Sequence, residues 1–268
     1  MIKVNGITIE QNHFPDNSLF VKLNPCDTKI DNSKIMYIEW YYENDAELFT
    51  LICLKRHLEE CFSNREFVLH MPYCPHARMD RVKNPEDVFT LKYFCEVINS
   101  LHFDSVFIDD PHSNVCVALL NRVCACNPKA AVERVIKSIN DDSMILFYPD
   151  AGAAKRYSDL IDMPFTYGEK VRNWETGRID SLEIKNPNAV IGNAVLIVDD
   201  ICSYGGTFVR AAKALREAGA AAVYLYVTHC EDNIHKGDVF KDGLIDKVFT
   251  TNSIYTGTFN EEGKVIIV

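Results

Sequence analysis

The chain has 268 residues, of which 47% are hydrophobic and 25% charged, and this composition indicates a globular protein with one large or two ordinary domains. Its formal net charge of −10 argues against a nucleic-acid-binding protein, because phosphate contacts need a basic face. The sequence contains neither an apolar run of about 20 residues nor a signal-peptide pattern, so neither a membrane span nor secretion is predicted.

The ten cysteines are scattered through apolar runs and lack the paired spacing of a zinc site. A free cysteine in such a run behaves as a small core residue. Reduced cysteines and a cytoplasmic location are therefore predicted.

Apolar runs alternate with amphipathic stretches along most of the chain. The predicted strands comprise residues 34–39, 66–71, 105–108, 144–148, 194–198, 223–228 and 247–251. The predicted helices comprise residues 45–61, 88–102, 114–124, 153–161 and 207–218. This alternation predicts an α/β fold with a parallel sheet flanked by helices. The order repeats after a seam near residues 127–142, so two tandem domains, 1–133 and 134–268, are predicted.

Polar segments follow two strands of the first predicted domain, where ligands bind in open α/β sheets. The first, ARMDR, contains Arg78, Asp80 and Arg81, and its guanidinium forks suit a polyphosphate. The second, DDPHS, contains His112 beside two aspartates. Such a cluster suits a divalent cation.

Two more polar segments follow strands of the second predicted domain. In YPDAGAAKRY, Asp150 precedes a short turn into a helix, whose amides suit phosphate and whose carboxylate suits magnesium. In VLIVDDICSYGGTF, Asp199 and Asp200 end an apolar strand. These carboxylates suit the vicinal hydroxyls of a sugar, and the loop from Ile201 to Thr207 suits a phosphate at a helix start.

The segment YGEKVRNWETGRID, residues 167–180, is polar and lies between predicted elements. Its cations Lys170, Arg172 and Arg178 suggest a lid that closes over a charged transition state. Neither GxxxxGK[ST] nor a strand–GxGxxG–helix pattern occurs, so ordinary P-loop and Rossmann sites are not predicted.

Taken together, these segments resemble the ribose-phosphate pyrophosphokinases, which have the type I phosphoribosyltransferase fold. ARMDR, DDPHS, PDAGAAKR, the Lys170/Arg172 segment and VLIVDDICSYGGT occur in the family's order, and HFPDNSLFVKL is similar to its adenine-contacting segment. The resemblance spans roughly residues 13–256. It implies two tandem phosphoribosyltransferase-like domains, each a mainly parallel sheet flanked by helices, with the ATP side in the first domain and the ribose-phosphate side in the second.

The resemblance also implies roles for individual residues. ATP would contact Phe14, Arg78, Asp80, Arg81 and His112, and magnesium would be held by His112 and Asp150. Lys170 and Arg172 would be catalytic. The ribose phosphate would contact Asp150, Asp199, Asp200, Ser203, Tyr204, Gly205, Gly206 and Thr207.

The reaction implied is attack of an acceptor's anomeric 1-hydroxyl on the β-phosphorus of ATP, with release of AMP. The implied partners are Mg²⁺, ATP, a ribose acceptor and further copies of the chain. Without the family's first strand–helix unit and closing helix, its hexamer is not expected.

Three departures from the family pattern leave adenine recognition and the acceptor open. Asn17 and Ser18 replace a Gly-Glu or Gln-Glu pair, and Ser203-Tyr204 replaces Asp-Thr in the phosphate loop. CEDNIHKG replaces a glycine-rich segment after the penultimate strand. Tyrosine adds bulk and a stacking surface. The acceptor is therefore ribose 5-phosphate or ADP-ribose, the latter as in NAD-rebuilding pathways. A phosphoribosyltransferase that consumes the pyrophosphate donor and a non-catalytic regulatory subunit are further alternatives.

Overall fold

The computed structural model describes residues 1–24, 26–172, 179–258 and 263–268. The chain divides into two compact units, Met1–Asn127 and Pro128–Val268, which we call the N-terminal and C-terminal units. The sequence-based boundary at 133/134 falls inside helix α5 (Lys129–Ile139) of the C-terminal unit.

The N-terminal unit contains a six-stranded sheet of order β2-β1-β5-β6-β7-β8 and a separate hairpin, β3–β4. Strands β5 to β8 are parallel, and β1 is antiparallel to β5. The strands are β1 (Ile2–Val4), β2 (Ile7–Thr8), β3 (Gln11–His13), β4 (Leu19–Val21), β5 (Ile35–Trp40), β6 (Glu66–Met71), β7 (Ser105–Asp109) and β8 (Val123–Cys126). The helices are α1 (Thr28–Asp31), α2 (Ala46–Cys61), α3 (Thr90–Ser100) and α4 (Asn114–Leu119).

The C-terminal unit contains a seven-stranded sheet of order β11-β10-β9-β12-β13-β14-β15, parallel except for the β10–β11 pair. The strands are β9 (Ile145–Tyr148), β10 (Phe165–Arg172), β11 (Ile179–Ile184), β12 (Ala194–Cys202), β13 (Ala222–Cys230), β14 (Lys247–Thr250) and β15 (Val265–Ile267). The helices are α5 (Lys129–Ile139), α6 (Ala151–Tyr157) and α7 (Gly206–Glu217), with 3₁₀ turns at Pro187–Ala189 and Asp232–Lys236.

Strand β12 is the centre of the C-terminal unit. Val195 to Val198 are completely buried, as expected for a central parallel strand covered on both faces. Val195 and Ile197 pack in one core with α7, whereas Leu196 and Val198 pack in a second core with α5 and α6. The alternation therefore assigns each side chain of β12 to one helix layer.

The predicted α/β fold with mainly parallel sheets is confirmed. Strands β1 to β4 and β15 were not predicted, and three further elements differ from the sequence-based prediction. The helix predicted for 114–124 ends at Leu119, because the chain turns extended at Leu120 and forms the edge strand β8 against β7. Helix α5 occupies the predicted seam. Much of the predicted lid lies on β10 and β11, which pair in antiparallel fashion. No helix in the described ranges is long and apolar enough to cross a membrane.

Candidate functional site

In the N-terminal unit, the ARMDR and DDPHS segments meet at Asp80. The Arg81 guanidinium contacts both carboxylate oxygens of Asp80, with Nε–Oδ1 at 2.7 Å and Nη2–Oδ2 at 3.1 Å. This guanidinium lowers the pKa of Asp80 below its ordinary value, against burial, and the Ser113 hydroxyl and His112 act in the same direction. The structure thus brings Asp80, Arg81 and His112 together, as the sequence predicts for adjacent strand ends.

Arg78 lies in the same loop with an exposed side chain. His112 is half-buried at the start of α4, where the Ser113 hydroxyl accepts a hydrogen bond from the Val115 N–H and caps the helix. The sequence-based prediction also missed His70, whose Nε2 lies 3.1 Å from both carboxylate oxygens of Asp109. The sequence feature that could have identified His70 is its position near the end of β6, one residue before the strand ends.

Phe14 lies in the turn of the β3–β4 hairpin with 51% of its surface exposed. Its ring centroid is 5.1 Å from that of Phe20. Asn17 has a left-handed backbone, φ 63°, which asparagine tolerates better than most residues. Asn17 and Ser18, which together form one of the three departures from the family pattern, line a cavity of about 500 Å³ between this hairpin and the start of α2.

In the C-terminal unit, the two adjacent aspartates of β12 have different surroundings. Successive strand residues point to opposite faces of a sheet, so Asp200 shares the face of Val198 and Asp199 the face of Ile197. Asp200 is 3% exposed, and its Oδ2 accepts a hydrogen bond from Arg156 Nη1 of α6 at 2.9 Å in an ion pair. The sequence analysis assigned no role to Arg156.

Asp199 lies near two other carboxylates, those of Asp200 and Asp150. Burial raises its pKa well above the ordinary value, and the negative charges of Asp200 and Asp150 add to this effect. Its Oδ1 accepts a hydrogen bond from the Asp200 N–H at 2.9 Å. A side chain in this state gains from a hydroxyl donor or a cation, which is what a bound sugar or metal ion supplies.

Asp150 caps α6. Its Oδ1 accepts hydrogen bonds from the N–H groups of Gly152 and Ala153, both at 3.0 Å, which explains why the helix begins directly after this residue. Among the described residues, no three His, Cys, Asp or Glu side chains form a group that could hold a metal ion. The chemistry nevertheless fits Mg²⁺, which is usually bound by one or two carboxylates plus substrate phosphates.

The loop after β12 leads into the N-terminus of α7. Gly205 has φ 78°, a conformation that favours glycine, and Gly206 is the first helical residue. Ser203 Oγ donates a hydrogen bond to Glu231 Oε2 at 2.5 Å. The Tyr204 side chain is 55% exposed. The backbone N–H groups at this helix start suit a phosphate, as the sequence predicts.

A second segment supports this loop. The 3₁₀ turn Asp232–Lys236 follows β13, and a Cβ added at Gly237 would clash with the carbonyl oxygen of Tyr204. A Cβ at Gly205 would clash with the Val239 side chain. The two chain segments are therefore in direct backbone contact, which only glycine permits at these positions.

Lys170 and Arg172 lie on β10, with their backbones opposite Leu182 and Ile179 of β11. Their side chains are outside what the structure describes, and Arg178 lies outside the described residues altogether. Their predicted catalytic role stays a prediction.

Comparisons with known proteins agree with this architecture. A family model described as "Phosphoribosyl transferase domain" matches residues 129–261. The ribose-phosphate pyrophosphokinase of Pyrococcus abyssi is 28% identical over 250 residues, covering 91% of this chain and 81% of that protein. The same enzyme of Sulfurisphaera tokodaii is 26% identical over 262 residues, covering 95% and 87%. The chain is therefore similar over most of its length to the ribose-phosphate pyrophosphokinases.

The fold of the chain also matches a solved structure. The crystal structure of phosphoribosylpyrophosphate synthetase from Mycobacterium smegmatis aligns with a TM-score of 0.72 at 17% identity, covering 97% of this chain and 85% of that one. The match supports the phosphoribosyltransferase fold. The similarity to these enzymes shows that the protein is an enzyme of the transferase class.

The raised pKa of Asp199 predicts a pH-dependent effect of Asp199→Asn on the stability of the ligand-free enzyme. Above the ordinary value of 3.8, the ionised group opposes folding, and this cost grows until the pH passes the raised folded-state pKa. Asp199→Asn should therefore be more stable than the parent at pH 8, and the difference should shrink as the pH falls towards 4. Urea unfolding across this range measures the difference.

The matched control for this prediction is Asp159→Asn, which changes an exposed aspartate of the same unit. Its stability should follow that of the parent at every pH. A difference for Asp199→Asn that does not vary with pH, or that has the opposite sign, would contradict the assigned surroundings of Asp199.

The backbone contact at Gly237 predicts that Gly237→Ala destabilises the protein by about 1–3 kcal/mol, because the added methyl group overpacks a rigid contact. Gly206→Ala is the control, since its Cβ would meet only Arg210 Nη1 at 3.8 Å. Urea unfolding should separate the two variants. Equal stabilities would show that Gly237 is not in tight contact with the Tyr204 carbonyl.

Proposed function

We propose that the protein is a Mg²⁺-dependent diphosphokinase that transfers the β,γ-diphosphate of ATP to the anomeric 1-hydroxyl of ribose 5-phosphate. The products are phosphoribosyl pyrophosphate and AMP. The observation that carries the proposal is the end of β12, where Asp199, a half-buried aspartate with a raised pKa, precedes a glycine loop and a helix start. The names of the relatives support phosphoribosyl pyrophosphate synthesis in general.

The acceptor half of the proposal uses the C-terminal unit. The Asp199 carboxyl would accept hydrogen bonds from the ribose 2- and 3-hydroxyls. Asp200, whose charge is offset by Arg156, would contribute mainly by fixing the strand end. The N–H groups from Ser203 to Thr207 would bind the 5-phosphate.

The ATP half uses the N-terminal unit. Arg78 and Arg81 offer guanidinium donors to the triphosphate, and Asp80 holds the Arg81 guanidinium through two contacts. Phe14 offers an exposed ring for the adenine base. His112 lies beside Asp80 and completes this set.

The chemical step needs alignment and charge neutralisation more than covalent participation. Lys170 and Arg172 would stabilise the charge that develops on the transferred diphosphate. Asp150 in the C-terminal unit and His112 in the N-terminal unit are the predicted Mg²⁺ ligands. When bound, Mg²⁺ would neutralise phosphate oxygens and orient the diphosphate. A homo-oligomeric state and a cytoplasmic location stay predictions from the sequence.

ADP-ribose is the second candidate acceptor. It offers the same 1-, 2- and 3-hydroxyls, but its 5-phosphate continues into an ADP group. The exposed Tyr204 ring provides a stacking surface beside the phosphate loop for such an extension. This candidate would place the enzyme in NAD rebuilding.

The proposal predicts AMP release when the enzyme is incubated with ATP, Mg²⁺ and one of the two acceptors. Lys170→Ala and Arg172→Ala should each lower kcat by at least about 100-fold, because each removes a cation from the transition state. Lys213→Ala, which changes an exposed lysine of α7, is the control and should retain activity. Chromatographic detection of AMP measures all variants.

Two results would overturn the proposed function. One is the absence of AMP with both acceptors. The other is ATP-independent consumption of phosphoribosyl pyrophosphate, which would identify a phosphoribosyltransferase instead.

A further inference from the structure

Glu231 is attached to the loop that the proposed function assigns to the 5-phosphate. Its N–H donates a hydrogen bond to the Cys202 carbonyl at 2.8 Å, and its Oε2 accepts the Ser203 hydroxyl at 2.5 Å. The Asn233 side-chain amide donates to the same oxygen at 3.2 Å. Both its backbone and its side chain are thus held against the start of the loop.

This contact changes what Ser203 can offer a ligand. A serine hydroxyl has a single proton to donate and two lone pairs to accept with. Because the proton is directed at the Glu231 carboxylate, Ser203 Oγ presents lone pairs rather than a donor to an incoming phosphate. The loop therefore carries a negative group and an acceptor oxygen at a position where a phosphate-binding loop would usually offer donors.

The cost of this arrangement depends on the charge of the acceptor's 5-phosphate. A terminal phosphate monoester carries about −1.5 to −2 at pH 7, whereas a phosphate bonded to a second group through a diester or diphosphate linkage carries about −1. Coulomb repulsion by a fixed carboxylate scales with this charge. Glu231 therefore opposes a terminal phosphate more strongly than a substituted one.

We propose that Glu231 is a specificity-determining residue that disfavours a terminal, doubly charged 5-phosphate relative to a substituted, singly charged one. The inference rests on the proposed function, since it takes the loop from Ser203 to Thr207 as the 5-phosphate site. It concerns charge selection only, and it favours the second candidate acceptor, ADP-ribose, over ribose 5-phosphate. The ring of Tyr204 and the identity of the substituent are separate questions.

The test is Glu231→Gln, which keeps an oxygen that accepts the Ser203 hydroxyl but removes the charge. The two acceptors are ribose 5-phosphate and ribose 5-(methyl phosphate), which differ by one negative charge and one methyl group. With ATP and Mg²⁺, the variant should raise kcat/KM for ribose 5-phosphate at least about tenfold. Its kcat/KM for the methyl ester should change by less than about threefold.

Two control variants separate charge from structure. Asp232→Asn removes the same charge one residue later, where the carboxylate binds Thr256 rather than the loop, and should leave the ratio of the two kcat/KM values unchanged. Ser203→Ala breaks the same hydrogen bond but keeps the Glu231 charge, so the preference for the methyl ester should persist. Thermal unfolding of each variant verifies that it is folded.

The outcomes distinguish this inference from the proposed function. If the parent enzyme releases no AMP with either acceptor or with ADP-ribose, the proposed function fails. If the parent is active but Glu231→Gln leaves the acceptor ratio unchanged, the charge-selection inference alone fails. It also fails if Ser203→Ala shifts the ratio as much as Glu231→Gln, because the hydrogen bond rather than the charge would then set the preference.

Discussion

The ion pair between Arg156 and Asp200 is the interaction on which the candidate acceptor site depends. A central strand such as β12 is buried on both faces, and two adjacent carboxylates lie near its carboxyl end. Two such charges destabilise a fold unless they are compensated. Because their side chains point to opposite faces, one helix can neutralise only one of them, and α6 supplies the cation for Asp200. Burial and the neighbouring carboxylates disfavour the ionised form of Asp199, and its pKa is therefore raised.

This asymmetry gives the two aspartates different tasks. Asp200 belongs to the framework, since its 2.9 Å contact fixes the end of β12 against α6. Asp199 retains an electrostatic cost that a ligand can relieve, which is a common property of binding sites. The loop that follows is fixed from the other side by Glu231 and Gly237. The strand end and the loop are thus held in place before any ligand arrives, which lowers the entropic cost of binding.

Much of the fold could be predicted from the sequence because its local signals agree with its tertiary structure. The strand 66–71 is predicted with the same bounds as β6, and the apolar run of β12 is recognisable as a central strand. The prediction failed where a strand forms only because it pairs with its neighbour in the sheet. Strand β8 forms because it pairs with β7, and β11 because it pairs with β10. The segments of β8 and β11 carry no alternating apolar pattern of their own. The sequence therefore favoured a helix for the first segment and a loop for the second.

The same reasoning applies to the site. Polar residues at strand ends identified Asp80, Asp150 and Asp199, because topology alone brings such positions to one edge of a sheet. Arg156 and Glu231 were missed because their roles come from contacts 44 and 28 residues away in sequence. Arg156 sits one turn into a helix that packs on β12, and Glu231 directly follows β13. Glu231 therefore lies at a strand end like the other site residues. Arg156 lies in a helix, and its role becomes visible only once the packing of α6 on β12 is known.

The central claim is that the enzyme transfers a diphosphate rather than a single phosphoryl group. The most direct measurement follows the label from [α-³²P]ATP and [γ-³²P]ATP in parallel reactions with the acceptor and Mg²⁺. We expect the α label to appear in AMP and the γ label in the acceptor product. Recovery of the α label in ADP, or of the γ label only in orthophosphate, would contradict it.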